Sequence, residues 1–479
     1  SGGSAYVESG TRNTLNAAAA GSFEGDTWSV GIGVERLATD GFNISRSGDE
    51  DDDADISTAS LNARLAPSDA LTVTFGARSV DAYTQFDAVD FVSTGLPADS
   101  DVATDTRQAY AHLGAILGDK DARVRHRLGV RYFDSDNENL VDGLYDSSTS
   151  SDRTTWAYQA DISLRQASLS LAAEHEVTQF SQRGAVVFGD PNQDQATDVT
   201  SAIADVHGRA GETVAWLFSL RFDDHSDFDD ILTGRVSLAW NVADATILRA
   251  GIGTGQKTPT FIERFGFFPQ SFVGNPDLRP EHSTSYDVGL DHAFESLSVQ
   301  ISLFDQDLDD EINGFFCPNP FPAPCTAVNM DEPSSRRGAE FGAQWSVSDR
   351  LAVGVTYTYT RSEDADSAAE LRRPRHAGSV HADFGFANGR GRVALAADYG
   401  GTRHDVFFPP FPNPSEIVTL GNYWLVGLTA QYDLSERVRL FARGSNLLDA
   451  EYEQVYGYRT PGRALFGGMQ VSFGNDTGR

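Results

Sequence analysis

Carboxylates are the residues in this sequence whose type and spacing first suggest chemistry. Gly48-Asp-Glu-Asp-Asp-Asp-Ala-Asp55 is followed by Phe86-Asp-Ala-Val-Asp90, and then by Asp101 and Asp105. Hard oxygen ligands supplied by two neighbouring loops are what calcium takes. A solvated acidic rim has the same composition, so both readings stand at this point. Cys317 and Cys325 bracket Cys-Pro-Asn-Pro-Phe-Pro-Ala-Pro-Cys, a stretch too rich in proline for a helix and read as a loop. A short disulfide formed in an oxidising compartment is expected, with two free thiols as the alternative. Gly251-Ile-Gly-Thr-Gly255, then Lys257 and Thr258, resembles a nucleotide loop only superficially. The lysine is not adjacent to the last glycine and no helix is expected to follow, so the glycines read as a place where a strand bends or another segment packs closely. His282, His292 and His376 lack metal-ligand spacing, and no serine-histidine-carboxylate arrangement stands out, so catalysis is not expected. Phe267, Phe268, Phe407 and Phe408 lie in expected loops, where they either contact an apolar ligand or pack and anchor the loop. Nothing assigns a substrate-binding residue.

Strands are the elements that must position these residues. In Leu351-Ala-Val-Gly-Val-Thr-Tyr-Thr-Tyr-Thr360, Leu351, Val353, Val355, Tyr357 and Tyr359 share one face, and small or polar residues the other. Trp424, Val426, Leu428, Ala430 and Tyr432 repeat the pattern, with rings at both ends of the apolar row, as two membrane interfaces require. Val438, Leu440 and Ala442 oppose Arg437, Arg439 and Arg443, which suits a wet lumen and not the dry interior of a sandwich. Those arginines either guide an anionic substrate or pair with acidic groups on neighbouring strands or on a plug that is not among these residues.

Short turn signals recur at residues 24–26, 66–69, 118–121, 165–167, 209–212, 241–244, 294–296, 346–349, 387–389 and 433–436. Each interval has room for two strands of about ten residues and a longer loop. Ten turns on one rim and about eleven long loops on the other predict an all-β, transmembrane antiparallel barrel of about 22 strands, a size associated with plugged outer-membrane transporters. Strand rhythm resumes after every loop, so residues 1–479 are read as one domain. No run of eighteen apolar residues occurs, which excludes a helical span and leaves a closed sheet as the way into a membrane. With 37 Lys+Arg against 69 Asp+Glu, the formal charge of -32 opposes nucleic acid and suits divalent cations. Leu465, Gly467, Met469, Val471 and Phe473 alternate up to a near-terminal aromatic, the strand ending that barrel-assembly machinery uses, followed by an unusual overhang to Arg479. No charged-apolar-small segment precedes Ser1, and the chain is read as cut from a longer one.

Two further segments carry a family likeness. One runs Leu248-Arg-Ala-Gly-Ile-Gly-Thr-Gly-Gln-Lys-Thr-Pro-Thr-Phe-Ile-Glu263, continuing through Gly274-Asn-Pro-Asp-Leu-Arg-Pro-Glu281 to Tyr286. The other is Gly444-Ser-Asn-Leu-Leu-Asp-Ala-Glu-Tyr-Glu-Gln-Val-Tyr-Gly-Tyr-Arg-Thr-Pro-Gly-Arg463. With Ser335-Arg-Arg-Gly-Ala-Glu340 and Leu371-Arg-Arg-Pro-Arg-His376 in order between them, the chain resembles the barrel of TonB-dependent receptors, especially those similar to the cobalamin transporter. The motif residues themselves read as structural, since Asn275-Pro276 and Arg279-Pro280 fix an extended turn and Asn446-Leu-Leu-Asp449 a rim turn.

The resemblance implies a Gram-negative outer-membrane receptor with short periplasmic turns and long extracellular loops, taking up a corrinoid or ferric siderophore without catalysis. It also implies contact with outer-membrane lipid, with TonB and with a plug domain, although no plug or TonB box is recognisable in these residues. By analogy with cobalamin-type receptors, whose loops calcium orders, it points to Asp53, Asp55, Asp87 and Asp105 as calcium ligands, the one cofactor expected. A plugless passive channel, and less so an outer-membrane barrel enzyme, are the competing readings.

Overall fold

A strand with one greasy and one polar face is stable only when its backbone is paired on both sides and each face meets its own solvent. The computed structural model, which describes residues 1–269, 271–317, 324–410 and 412–474, meets both conditions with one 22-stranded antiparallel sheet. Each strand pairs with the next along the chain, and Gly2–Gly10 pairs with Ala464–Gly474, so that Gly2 lies opposite Gly474 and Gly10 opposite Phe466. The sheet has become a barrel without an edge, the all-β fold read from the alternation.

All ten expected turns fall at strand ends on one rim, which also holds Gly2 and Gly474. Two connections on the other rim are tighter than expected. Residues 11–13 join the first two strands, and Asp142 with Gly143 joins Val124–Val141 to Leu144–Ser163. Asp142 and Gly143 both adopt positive φ, 51° and 69°, the backbone of a two-residue hairpin for which Asp-Gly is a strong signal.

Strand length is uneven around the wall. The consecutive strands from Trp28–Phe42 to Gln193–Ala210 run 15 to 20 residues, where about ten suffice to cross a bilayer. Their surplus rises past the long-loop rim, so the acidic stretch expected to be loop is partly strand. Asp52–Ser68 and Val102–Leu117 take in Asp53, Asp55 and Asp105, because ladder pairing with equally long neighbours outweighs aspartate's poor strand propensity.

Outward rows carry large apolar residues such as Trp28, Leu113, Leu220 and Leu303, the last 53% exposed, forming a band meant for lipid. The buried apolar cluster is not in the barrel. Phe272, Leu278, Ile312 and Ala327 pack together at the long-loop rim, with Cys325 against them. Four small ribbons stiffen this rim: Val89–Asp90 with Leu96–Pro97, Phe267–Phe268 with Phe272–Val273, Ile312–Phe316 with Thr326–Asn329, and Arg403–Phe407 with Glu416–Leu420. Cys317 and Cys325 are joined by a disulfide with Cα atoms 4.2 Å apart. Residues 318–323 between them, Phe411 of the proline-rich stretch, and the tail beyond Gly474 lie outside the described residues.

Candidate functional site

Inward rows are polar, and their charges are largely matched across strands. Arg443 grips Glu8 with two hydrogen bonds, Nε to Oε2 at 2.9 Å and Nη2 to Oε1 at 2.8 Å, across the seam where the barrel closes. Arg439 donates to Asp433 at 2.7 Å. For these two arginines the pairing alternative of the sequence reading is what the fold provides. Arg221 lies between Asp223, Glu174 and the Ser201 hydroxyl at 2.9, 3.3 and 2.8 Å, and Arg131 reaches the same Glu174 at 3.1 Å.

Gly251, Gly253 and Gly255 occupy alternate, lumen-facing positions of the extended strand Thr246–Lys257, so they form no phosphate cradle. A Cβ at Gly251 would meet Asp287 Oδ1 at 2.5 Å. A short helix does follow, contrary to expectation: Phe261–Phe265, started by a capping box in which Thr260 and Glu263 exchange hydrogen bonds. Its signal, Thr-x-x-Glu ahead of apolar residues, was present in the sequence.

The expected calcium residues are placed separately. Asp55 is paired with Arg36 at 3.0 Å, and Asp105 faces Arg107 at 3.7 Å. Asp87 is buried in the rim, where its two oxygens accept the N–H groups of Ser45 at 3.0 Å and Ser100 at 2.9 Å. Asp53 Oδ1 is buried without a partner. Among the described residues, no group of three or more His, Cys, Asp or Glu side chains could hold a metal ion. A different acidic group does interact electrostatically: burial, then Asp101, Asp99, Asp52 and Asp87, pushes Glu50 up from the ordinary carboxylate range. Burial, reinforced by Asp99, likewise pushes Asp87 up against the pull of its two N–H donors. Spacing could not reveal this group, because Asp99 arrives by a tertiary turn.

The loop aromatics are mostly engaged in packing. Gln182 clasps Phe267 through both its backbone N–H and its carbonyl, and Phe407 lies against Tyr456 with ring centroids 5.2 Å apart. Phe268 and Phe408 remain exposed. His292 and His376 meet the hydroxyls of Thr246 and Tyr357 at 2.8 and 2.7 Å.

Both motif segments converge on the long-loop rim. Leu278 is in the buried cluster, Asn275 donates to the Ala327 carbonyl at 3.0 Å, and Glu281 accepts the Ile312 N–H at 2.7 Å. Asn446 and Asp449 adopt positive φ, which their short side chains tolerate, and bind Ala450 and Arg463 backbone N–H groups at 2.8 Å each.

Residues 2–447 match the family model described as TonB dependent receptor-like, beta-barrel. The chain belongs to the TonB-dependent receptor family. The vitamin B12 transporter BtuB of Photobacterium profundum is 26% identical over 263 residues, 54% of this chain and 41% of that protein. The iron-regulated outer membrane virulence protein of Vibrio cholerae is 25% identical over 283 residues, 53% of this chain and 42% of that protein. The match therefore spans about two fifths of these relatives. In solved structures, the siderophore receptor PirA of Acinetobacter baumannii superposes with a TM-score of 0.78 at 15% identity, over 98% of this chain and 80% of that one. A variant of the ferric enterobactin receptor PfeA of Pseudomonas aeruginosa gives 0.82 at 14%, with the same coverage. As a TonB-dependent receptor barrel, the chain is an outer-membrane protein, its short turns periplasmic and its long-loop rim extracellular.

Proposed function

We infer that this chain is the wall and extracellular rim of an outer-membrane receptor for energised uptake of a chelated or bulky nutrient, a corrinoid or a ferric siderophore. The observation that carries the reading is a closed 22-stranded barrel with a polar lumen, crowned by a rim folded around its own apolar cluster. A barrel that wide needs a plug to be selective, and the lumen-facing glycines of Thr246–Lys257 allow close packing of another segment. In this proposal a plug domain fills the lumen, TonB acts on the plug, and the strand ending at Phe473 and Gly474 is read by the barrel-assembly machinery. The barrel supplies binding and passage, not catalysis.

Calcium enters the proposal as an ion that orders the rim. Asp55 and Asp105 are engaged by arginines, so the support comes from Asp87 with Glu50, Asp52 and Asp99, which repel one another, and from the unpartnered Oδ1 atoms of Asp53 and Asp99. A divalent cation would relieve that repulsion by drawing the carboxylates in.

The test is ligand binding by the complete natural gene product in detergent, titrating cobalamin and a panel of ferric siderophores with and without calcium. Saturable binding of one class supports the receptor reading, and calcium dependence supports the rim site. A plug-free product that conducts without binding any of them would make it a passive channel.

A further inference from the structure

Between Lys257 and Glu281 the chain turns back over the mouth of the barrel and docks on the inner faces of Ala167–Gly184 and Gln193–Ala210. Phe261 stacks on Phe180, which shares the lumenal row of Glu174 and Gln182, with ring centroids 5.3 Å apart. Gln182 clasps Phe267 as described above, and Gln193 donates to the Phe265 carbonyl. The short helix Phe261–Phe265 is also tied to the loop after Val214–His225, through Arg264 Nη1 and Asp227 Oδ2 at 2.7 Å.

Arg264 is a cation with little water and few partners. Its side chain is 11% exposed, Asp227 is its one ion-pair partner among the described residues, and its Nε is buried without a hydrogen bond. The rings of Phe228 and Phe265 supply the rest, with centroids 4.8 and 4.6 Å from the guanidinium carbon. A cation so far out of water depends on its carboxylate, and a second cation competing for that carboxylate loosens it. His225 is in place to be that second cation. Its ring packs on the same Phe228, centroids 4.9 Å apart and planes at 65°, and its Nδ1 accepts the Asp227 N–H at 3.4 Å, which only the unprotonated nitrogen can do. Burial holds the imidazole below the ordinary histidine range; Asp227 pulls the other way, Arg264 adds to the lowering, and Asp223 on its own strand and Asp198 on the next oppose it. The remaining charges that line its cavity are matched already, Arg221 with Asp223 and Glu174, and Glu176 with Arg153.

We propose that His225 is an acid-sensitive latch on the extracellular mouth: its protonation gives up the Asp227 N–H, sets a second cation against Arg264 and Phe228, and releases residues 258–274 from the inner wall. The closed segment binds this proton less readily than the open one. Closure is therefore at full strength above the ordinary histidine value of about 6.5, weakens as pH falls through it, and levels off below the closed-state value. The latch is a property of the rim and does not depend on which nutrient the receptor takes.

The test is backbone hydrogen exchange of the complete natural gene product in detergent, corrected for the intrinsic pH dependence of exchange. The reporting amides are those of Arg264 and Gly266, bonded to the Thr260 and Ile262 carbonyls, and of Phe267, bonded to Gln182. Their protection should fall roughly tenfold from about pH 7.5 to about pH 5, while the ladder amides of Val214–His225 hold. His225→Gln, which still accepts an N–H but does not titrate, should be protected equally at both values. His225→Phe, which keeps the packing on Phe228, is a second non-titrating variant and should be as indifferent to pH. Arg264→Gln should be loose at both. Protection that does not change with pH in the unaltered protein, or a pH response that persists in both His225 variants, overturns the proposal. A segment indifferent to pH would leave the receptor reading standing, and absence of nutrient binding by the complete product would leave the latch standing.

Discussion

Glu8 is a buried carboxylate that accepts two hydrogen bonds from Arg443. Removing one partner of such a pair costs more than the pair itself contributes, because the remaining charge is stranded. Arg443→Ala should therefore destabilise the barrel by roughly 2 kcal/mol, less than for a fully buried pair because the arginine is partly in solvent. The loss would be read as earlier heat-induced unfolding in detergent, and Glu8→Gln combined with Arg443→Ala should recover part of it. Asp405, fully buried in the rim, accepts from Arg372 Nε at 2.8 Å and from the Tyr456 N–H at 2.7 Å. Asp405→Ala takes the acceptor from these two donors and from the Val406 N–H, and should cost the rim about 2 to 3 kcal/mol while sparing the barrel. Faster proteolysis within residues 450–463 at unchanged barrel melting would be the signature.

Among the elements, strands and rim loops answer to different forces. A strand in the band is held by its ladder and by lipid, whereas a rim loop has only local contacts and charges. Glu50 and Asp87 are held above the ordinary carboxylate range, so the folded rim favours their neutral forms. The stability this gives is complete below about pH 4, where unfolded carboxylates also hold their protons, and is lost as pH rises through the raised values. Proteolysis in residues 87–101 should accordingly quicken as pH climbs through and above that range. Asp99→Asn, which removes a repelling charge from both groups, should flatten the dependence; a rate that slowed with rising pH would contradict it.

For the whole molecule, closure and solvent decide stability together. Pairing of the first strand with the last leaves no edge, so every band strand is buffered by two neighbours and by lipid outside. A charge on the lipid face should be costly at mid-depth and cheap above the band. Leu303→Arg, in the outward row of Leu297–Asp309, should cost about 2 to 4 kcal/mol in bilayer refolding equilibria. Asp136→Arg, outward on a strand that overtops the bilayer, should change little by the same measurement.

The alternation of Leu351 to Thr360 and the ten turn signals were enough to reach a barrel of about 22 strands, because side-chain period and turn chemistry are local properties that lipid and lumen both reward. The paired roles of Arg439 and Arg443 were legible as one of two alternatives, and the choice needed the register that sets Arg443 beside Glu8, 435 residues away. The acidic stretch misled at its edges, since ladder pairing with tall neighbours draws Asp53 and Asp55 into a strand and onto its outer face. Asp99 could join Asp87 and Glu50 only through the folded rim. Strand class and number follow from sequence because they depend on neighbours along the chain. Which charges meet follows from closure, which makes neighbours of residues hundreds of positions apart.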